Sequence, residues 1–166
     1  KTVIFPENSE LLSIGKNAFS NTLIESISFP AKLRNLSDSW SDQALNLKTV
    51  FLSHSNQCLK LINNDLLVGK SDQNKEYDDL FFANRSIKEA TIPSSIEFIA
   101  SHCFEDCKYL KNVQIPNDSK LKKIGNFAFN KSAISEINIP VHVKIIGKFS
   151  ISVITDQATY ISFKSF

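Results

Sequence analysis

The prolines of this chain recur at an almost constant interval, and this regularity constrains the fold more than any other feature. Pro30 lies 24 residues after Pro6, and Pro140 lies 24 residues after Pro116. In the one longer gap, Ser53 stands 23 residues after Pro30, where the next proline is expected. A fixed period of this length indicates a chain built from stacked copies of one small structural unit.

Each proline ends a short segment in which apolar and polar residues alternate. Leu110–Pro116 reads LKNVQIP, and Ile134–Pro140 reads ISEINIP. Such alternation is typical of a strand with one buried and one exposed face, and proline fits at its end because it lacks an N–H. No single copy can bury its apolar face, so we predict that the strands stack in one parallel sheet. The frame predicts seven strands, which end near Phe5, Phe29, Leu52, Ile92, Ile115, Ile139 and Phe163.

A second pattern follows the prolines and is clearest at 121–129, which reads LKKIGNFAF. Gly15, Gly125 and Gly147 share one position of this pattern, which indicates a turn that tolerates positive φ. The pattern then places a small residue beside a large one, as at Ala128 and Phe129. Stacked layers with such pairs can interdigitate.

The combined frame, LxxIxIP followed by VxxIGxxAFxxCxxL, resembles the BspA-like leucine-rich repeats. Phe104–Leu110 matches the AFxxCxxL part directly, and the resemblance covers essentially the whole chain. It implies an α/β repeat fold: a leucine-rich repeat solenoid of 23–24-residue units with a parallel β-sheet on its concave face. It also implies a non-enzymatic protein-binding role. Members occur in bacteria and parasitic protists, many at the cell surface, and some are implicated in adhesion to host matrix proteins such as fibronectin.

We expect a single leucine-rich repeat domain over 1–166 with an insertion at about 54–86. Inside the insertion, Leu59–Ile62 and Leu66–Val68 read as a hairpin around a polar turn, and Leu80–Phe82 reads as a third strand. We interpret this insertion as a local embellishment of the solenoid.

Two further expectations concern copies that depart from the pattern. The copy after Pro30 lacks both the glycine and the Ala-Phe pair, and we expect Trp40 to fill the space. Both ends of the chain read as strands without polar caps, which solenoids need for solubility. We therefore expect a longer parent protein with further repeats, or end-to-end self-association.

Composition and motifs give no case for catalysis or for a cofactor. Lys and Arg number 19 against 17 for Asp and Glu, and this near balance of charge gives no reason to expect nucleic-acid binding. No apolar run approaches the roughly 20 residues that a membrane-spanning segment needs. His102, Cys103 and Cys107 lie close together, but the cysteine spacing does not fit a zinc site, and we interpret both cysteines as small buried residues. We predict no metal, no cofactor and no catalytic residue.

The exposed side of the predicted sheet is the best candidate for a functional surface. Its outward positions are polar or acidic apart from two aromatics, and Lys48, Lys88 and Lys111 run beside them. One outward row contains Ser28, Phe51, Thr91, Gln114, Asn138 and Ser162. The other contains Ser26, Thr49, Glu89, Asn112, Glu136 and Tyr160. These residues form either a merely soluble outer surface or a partner-binding face, with Phe51 and Tyr160 as its aromatic anchors.

Two hypotheses of function follow. The first, which rests on the resemblance, is a surface or secreted adhesion module that binds a protein ligand, for example an extracellular-matrix glycoprotein. The second is a cytoplasmic scaffold or assembly component with the same fold. Four Asn-x-Ser/Thr sequences, at Asn35, Asn84, Asn117 and Asn130, would carry sugar only in a secreted chain.

Overall fold

The computed structural model describes residues 1–152 and 160–164, and its strands stack in repeated turns. In chain order the strands are β1 (Thr2–Ile4), β2 (Ser13–Ile14), β3 (Ser26–Phe29), β4 (Asn35–Leu36), β5 (Thr49–Leu52), β6 (Leu59–Ile62), β7 (Leu66–Gly69), β8 (Asp79–Ala83), β9 (Glu89–Thr91), β10 (Phe98–Ile99), β11 (Asn112–Gln114), β12 (Lys123–Ile124), β13 (Glu136–Pro140), β14 (Ile145–Ile146) and β15 (Tyr160–Lys164).

The seven predicted repeat strands are confirmed as β1, β3, β5, β9, β11, β13 and β15, and each paired neighbour is parallel. Thr2 pairs with Ser26 and Ser26 pairs with Thr49, so partners lie 24 and 23 positions apart. The prediction of one continuous sheet is wrong. Hydrogen bonds join these strands in three separate groups: β1-β3-β5, β9-β11 and β13-β15.

A second side of each turn also consists of parallel strands, which the sequence did not predict. These strands are only two residues long and come directly before the glycine position, as in β2 and β12. Strands β10, β12 and β14 pair in register, Ile99 with Ile124 and Ile124 with Ile146. Short parallel strands therefore flank the core on two sides of each regular turn.

The third side of each turn contains no helix in the part of the chain that the structure describes, so the expected α/β repeat is wrong. Residues with positive φ recur four positions apart on this side, for example Asn17 at 59° with Asn21 at 55°, and His102 at 63° with Asp106 at 59°. Each such residue interrupts the right-handed conformation that a helix requires. Backbone hydrogen bonds instead connect stacked turns.

The repeated glycines do not have the positive φ that we predicted; positive φ occurs two residues later, as at Asn17. Two of the glycines allow close approach of stacked backbones instead. A Cβ atom on Gly125 would lie 2.4 Å from the backbone nitrogen of Ser101, whereas one on Gly15 in the first turn would meet nothing within 4 Å. Glycine is therefore required only where a preceding turn packs against it.

The insertion contains the predicted hairpin, β6 and β7, followed by β8, but it is more than a local embellishment. Strand β7 is buried along its whole length. Leu66 and Val68 pack into a cluster with repeats 87–139, which we call the C-terminal core, and Leu67 packs into a cluster around Trp40, the N-terminal core. The hairpin of β6 and β7 therefore separates the two cores, and we call it the hairpin wall.

The hairpin strands also extend the second sheet, whose order is β14-β12-β10-β8-β7-β6, whereas β2 and β4 form a separate pair. Strand β8 pairs parallel with β10, Leu80 opposite Ile99, while its other edge pairs antiparallel with β7. The expectation for Trp40 is confirmed, because its ring is 1% exposed and packs edge-on against Phe29 at 5.4 Å. Apolar residues are exposed at both ends of the described stack, including Ile4 at 73% and Ile145 at 52%. End-to-end self-association stays a prediction.

Candidate functional site

The outward positions of the repeat strands form the surface that we call the sheet face. Burial alternates along each strand, so Ile27 and Ile137 point into the core while their neighbours point outward. Glu89, Thr91 and Gln114 are exposed. The described side chains of the sheet face are Ser26, Ser28, Thr49, Phe51, Glu89, Thr91, Asn112, Gln114, Glu136, Asn138 and Ser162. The backbone of Tyr160 continues the row in β15, but its side chain lies outside the described set.

Cross-strand hydrogen bonds connect polar side chains along this face. Thr2 Oγ1 and Ser26 Oγ lie 2.9 Å apart, and Thr91 Oγ1 donates to Gln114 Oε1 at 3.5 Å. The Ser162 hydroxyl donates to Asn138 Oδ1. The exposed amides and carboxylates of the face retain further hydrogen-bonding capacity.

Phe51 borders a groove at the carboxyl ends of β1, β3 and β5, which we call the N-terminal patch. The ring is 57% exposed, and the groove, about 430 Å³ in volume, is also lined by Glu7, Ser28 and His54. The hydroxyl oxygen of Ser28 is shielded and has no hydrogen-bond partner among the described residues. An exposed aromatic ring beside unused polar groups is the composition of a site that takes an apolar side chain from a partner.

A second groove, the C-terminal patch, crosses β9, β11 and β13. It has a volume of about 390 Å³ and is lined by Thr91, Asn112, Gln114, Asn117 and Asn138. Amide side chains dominate this lining, and each amide both donates and accepts hydrogen bonds. The C-terminal patch can therefore bind a polar backbone or an amide-bearing segment without requiring a particular charge.

The hairpin separates the two patches. Its turn residues Ile62, Asn63 and Asp65 line a smaller groove, about 250 Å³, together with Glu89 and Thr91 at the free edge of β9. The structure therefore does not bring Phe51 beside Thr91, although the sequence rows placed them next to each other. The 40-residue gap between Ser53 and Pro93 was the signal for this interruption.

The predicted lysine row is exposed and precedes β5, β9 and β11. No residue in the described part of the chain forms an ion pair with Lys48, Lys88 or Lys111. Three unpaired lysines thus lie at the amino-terminal ends of these strands, where a partner's carboxylates could reach them.

Cys103 and Cys107 are buried as predicted and contribute to packing. Cys103 and Cys107 are 0% exposed in the C-terminal core. Burial raises the pKa of both thiols, and the nearby Arg85 opposes this rise only in part. A thiol that stays protonated is a poor nucleophile and a poor metal ligand.

Comparison with known proteins identifies the repeat. Residues 1–67 and 75–165 match the model described as "BspA type Leucine rich repeat region", in six copies. No curated protein sequence matches the chain significantly. No membrane-spanning helix occurs in the described parts of the chain.

Solved structures show the same fold. A leucine-rich repeat protein from Eubacterium ventriosum superposes with a TM-score of 0.77 at 24% identity, over 99% of this chain and 42% of that one. The pneumococcal vaccine antigen PcpA gives a TM-score of 0.68 at 19% identity, over 97% and 51% of the two chains. A leucine-rich cell surface protein from Faecalibacterium prausnitzii gives 0.57 at 17%, over 99% and 60%. The chain thus spans 42% to 60% of the length of these proteins.

Proposed function

We propose that this chain, which belongs to the BspA-type leucine-rich repeat family, is a protein-binding module that contacts its partner through the sheet face. The exposure of Phe51 carries this proposal. A phenylalanine that is 57% exposed gains much buried apolar area on binding. Aromatic residues at such positions commonly dominate the energy of an interface.

The two patches suggest how one extended partner would be recognised. An apolar side chain of the partner would enter the N-terminal patch beside Phe51, while its polar groups would bond to Asn112 and Gln114 in the C-terminal patch. Lys48, Lys88 and Lys111 would favour a partner with acidic groups along the same edge and would raise its association rate. Leucine-rich repeat solenoids present extended surfaces suited to this mode of binding.

We further propose that the module acts at a cell surface or after secretion and binds an extracellular-matrix glycoprotein. Two observations support this location. One fold relative is described as a cell surface protein and another as a vaccine antigen. The sheet face, which is polar with the exposed ring of Phe51, offers groups that a protein partner can contact.

The test is direct binding of the purified chain to immobilised fibronectin, laminin and collagen. We expect saturable binding to at least one of them, and a loss of about tenfold or more in Phe51→Ala. Phe149→Ala is the matched control, because Phe149 is 67% exposed but lies outside the sheet face. Tyr160→Ala tests the second anchor predicted from sequence.

Two results would contradict the proposal. Equal loss in Phe51→Ala and Phe149→Ala would mean that the sheet face is not the contact surface. No binding to any of the three glycoproteins would favour the cytoplasmic scaffold, whose partner would then be sought inside the cell.

A further inference from the structure

A cluster of three ionisable side chains lies on the third side of the solenoid, away from the sheet face. His102 Nδ1 is 2.9 Å from Glu105 Oε2 and 3.2 Å from Asp42 Oδ1. The three ligand atoms all lie within 4.8 Å of one another. Asp42 belongs to the second repeat and the other two to the fourth, so the cluster bridges the junction at which the hairpin replaces a regular turn.

The hydrogen-bond geometry of this cluster leaves one anionic oxygen unsatisfied. His102 Nδ1 carries at most one hydrogen and is positioned to share it with Glu105. Asp42 Oδ1 is shielded from solvent and has no hydrogen-bond donor among the described residues, although Nδ1 is near it. A shielded carboxylate oxygen without a donor is costly, and a cation between the three atoms would remove that cost.

The donor set and its dimensions fit a divalent transition metal. One imidazole nitrogen and two carboxylate oxygens are common ligands of Zn²⁺, with bonds of about 2.0–2.2 Å. A tetrahedral site with such bonds has ligand atoms about 3.3–3.6 Å apart. The two separations from His102 Nδ1, 2.9 and 3.2 Å, need only a small expansion to reach that spacing, and the two carboxylate oxygens lie within 4.8 Å of each other.

The surrounding residues hold these ligands in place. The ring of His102 stacks on Phe127 with centroids 5.1 Å apart and an interplanar angle of 14°. Asn130 Nδ2 donates to the other oxygen of Glu105 at 2.9 Å.

We propose that Asp42, His102 and Glu105 form a Zn²⁺ site that ties the second repeat to the fourth. His102 binds through Nδ1 as the tautomer that carries its hydrogen on Nε2. The side chain of Asp42 is 22% exposed, which leaves room for water as a fourth ligand. The site is independent of the proposed binding function.

Zinc titration of the purified chain tests the site. We expect one equivalent of Zn²⁺ to bind by calorimetry, and the melting temperature to rise by about 5–10 °C at a hundredfold excess over Kd. Asp42→Asn keeps the side-chain shape but removes an anionic ligand, so it should weaken binding at least about tenfold. His102→Gln should abolish binding, and His142→Gln, at an exposed histidine outside the cluster, should have no effect.

Three results would overturn the proposal. If Zn²⁺ leaves the melting temperature of the wild-type chain unchanged, the cluster is only a hydrogen-bonded imidazole. If Asp42→Asn and His102→Gln retain wild-type affinity, the metal binds elsewhere. If Ca²⁺ produces the same shift as Zn²⁺, the effect is a general response to divalent charge. Because wild-type titration alone can refute the site, the test does not depend on the variants folding.

Discussion

Nη1 of Arg85 donates a 2.8 Å hydrogen bond to the backbone carbonyl of Cys103, and this contact fills a space left by the shortest turn of the solenoid. Ile87 lies seven positions after Leu80, whereas Leu110 lies eleven positions after the corresponding residue Ile99. Nη2 of the same guanidinium donates to the carbonyl of His102 at 3.2 Å. One side chain thus caps two carbonyls where the missing backbone would have packed.

Arg85→Ala should therefore destabilise the protein strongly. It removes the Arg85 donor to the His102 carbonyl and one of the two donors to the Cys103 carbonyl, which also accepts from Ala83 N. It also leaves a cavity beside the ring of Phe82, which the guanidinium covers at 4.8 Å. We expect urea denaturation to show a loss of about 2–4 kcal/mol in the free energy of unfolding. Arg34→Ala, at an exposed arginine, should cost less than about 0.5 kcal/mol. Equal effects of the two changes would contradict the capping role.

Two glycines at the same repeat position give a second matched test. Gly125→Ala forces a Cβ atom to within 2.4 Å of Ser101 N, so stacked turns must separate, and we expect a loss of about 1–3 kcal/mol. A Cβ atom at Gly15 would contact nothing within 4 Å, and the φ of Gly15 is not positive. Gly15→Ala should therefore stabilise the folded protein by up to about 1 kcal/mol, because alanine restricts the unfolded chain. If thermal denaturation shows the same change in stability for both substitutions, close approach of stacked backbones does not explain why glycine occupies this repeat position.

Asp79 makes the stability of the fold depend on pH. Burial raises its pKa to about 6, and the charge of Asp78 adds to the rise. The folded chain therefore keeps this proton where the unfolded chain, with an Asp pKa of about 3.9, has lost it. The free energy of unfolding should include a contribution that falls as pH rises from about 4 to about 6.

Asp79→Asn removes the free-energy cost of ionising the buried Asp79 carboxyl at neutral pH. Denaturant unfolding at pH 7 should show a gain of about 1–2 kcal/mol, because partial solvent exposure screens the effect. Burial would also raise the pKa of Asp78, but hydrogen bonds from Ser71 outweigh burial and lower it, so Asp78 contributes a slope of opposite sign. An unchanged pH slope between about 4 and 6 in Asp79→Asn would show that Asp79 does not cause the dependence.

The hairpin wall predicts that adjacent residues of one strand stabilise different halves of the molecule. Leu67→Ala should reduce hydrogen-exchange protection mainly in β3 and β5, whereas Val68→Ala should reduce it mainly in β9, β11 and β13. Each change should lower the free energy of unfolding by about 1–4 kcal/mol. The same protection pattern in both variants would mean that the two cores unfold as one.

Much of the repeat architecture could be predicted because its signals are local and recur. The alternation in ISEINIP and its copies identified the inward and outward positions, so the exposure of Phe51 and the burial of Ile137 followed directly. The hairpin was visible because two apolar runs flank Asn63 and Asn64, whose positive φ asparagine tolerates.

The remaining features depend on contacts that no local pattern encodes. Two-residue strands such as Phe98–Ile99 are too short to show a period. The division of the sheet face arises because β8 pairs with β10, which places the hairpin turn beside β9. Asp42 meets His102 across 60 residues only because the hairpin brings the second and fourth repeats together.

The central claim is that a protein partner covers the sheet face, and hydroxyl-radical footprinting of the bound chain tests it most directly. Phe51, Tyr109 and Phe149 are exposed aromatics at 57%, 61% and 67%, so all three should be oxidised in the free chain, and only Phe51 belongs to the sheet face. With the matrix glycoprotein bound, we predict that oxidation of Phe51 falls severalfold while Tyr109 and Phe149 are unchanged. Protection of Tyr109 or Phe149 with Phe51 still oxidised would contradict the account.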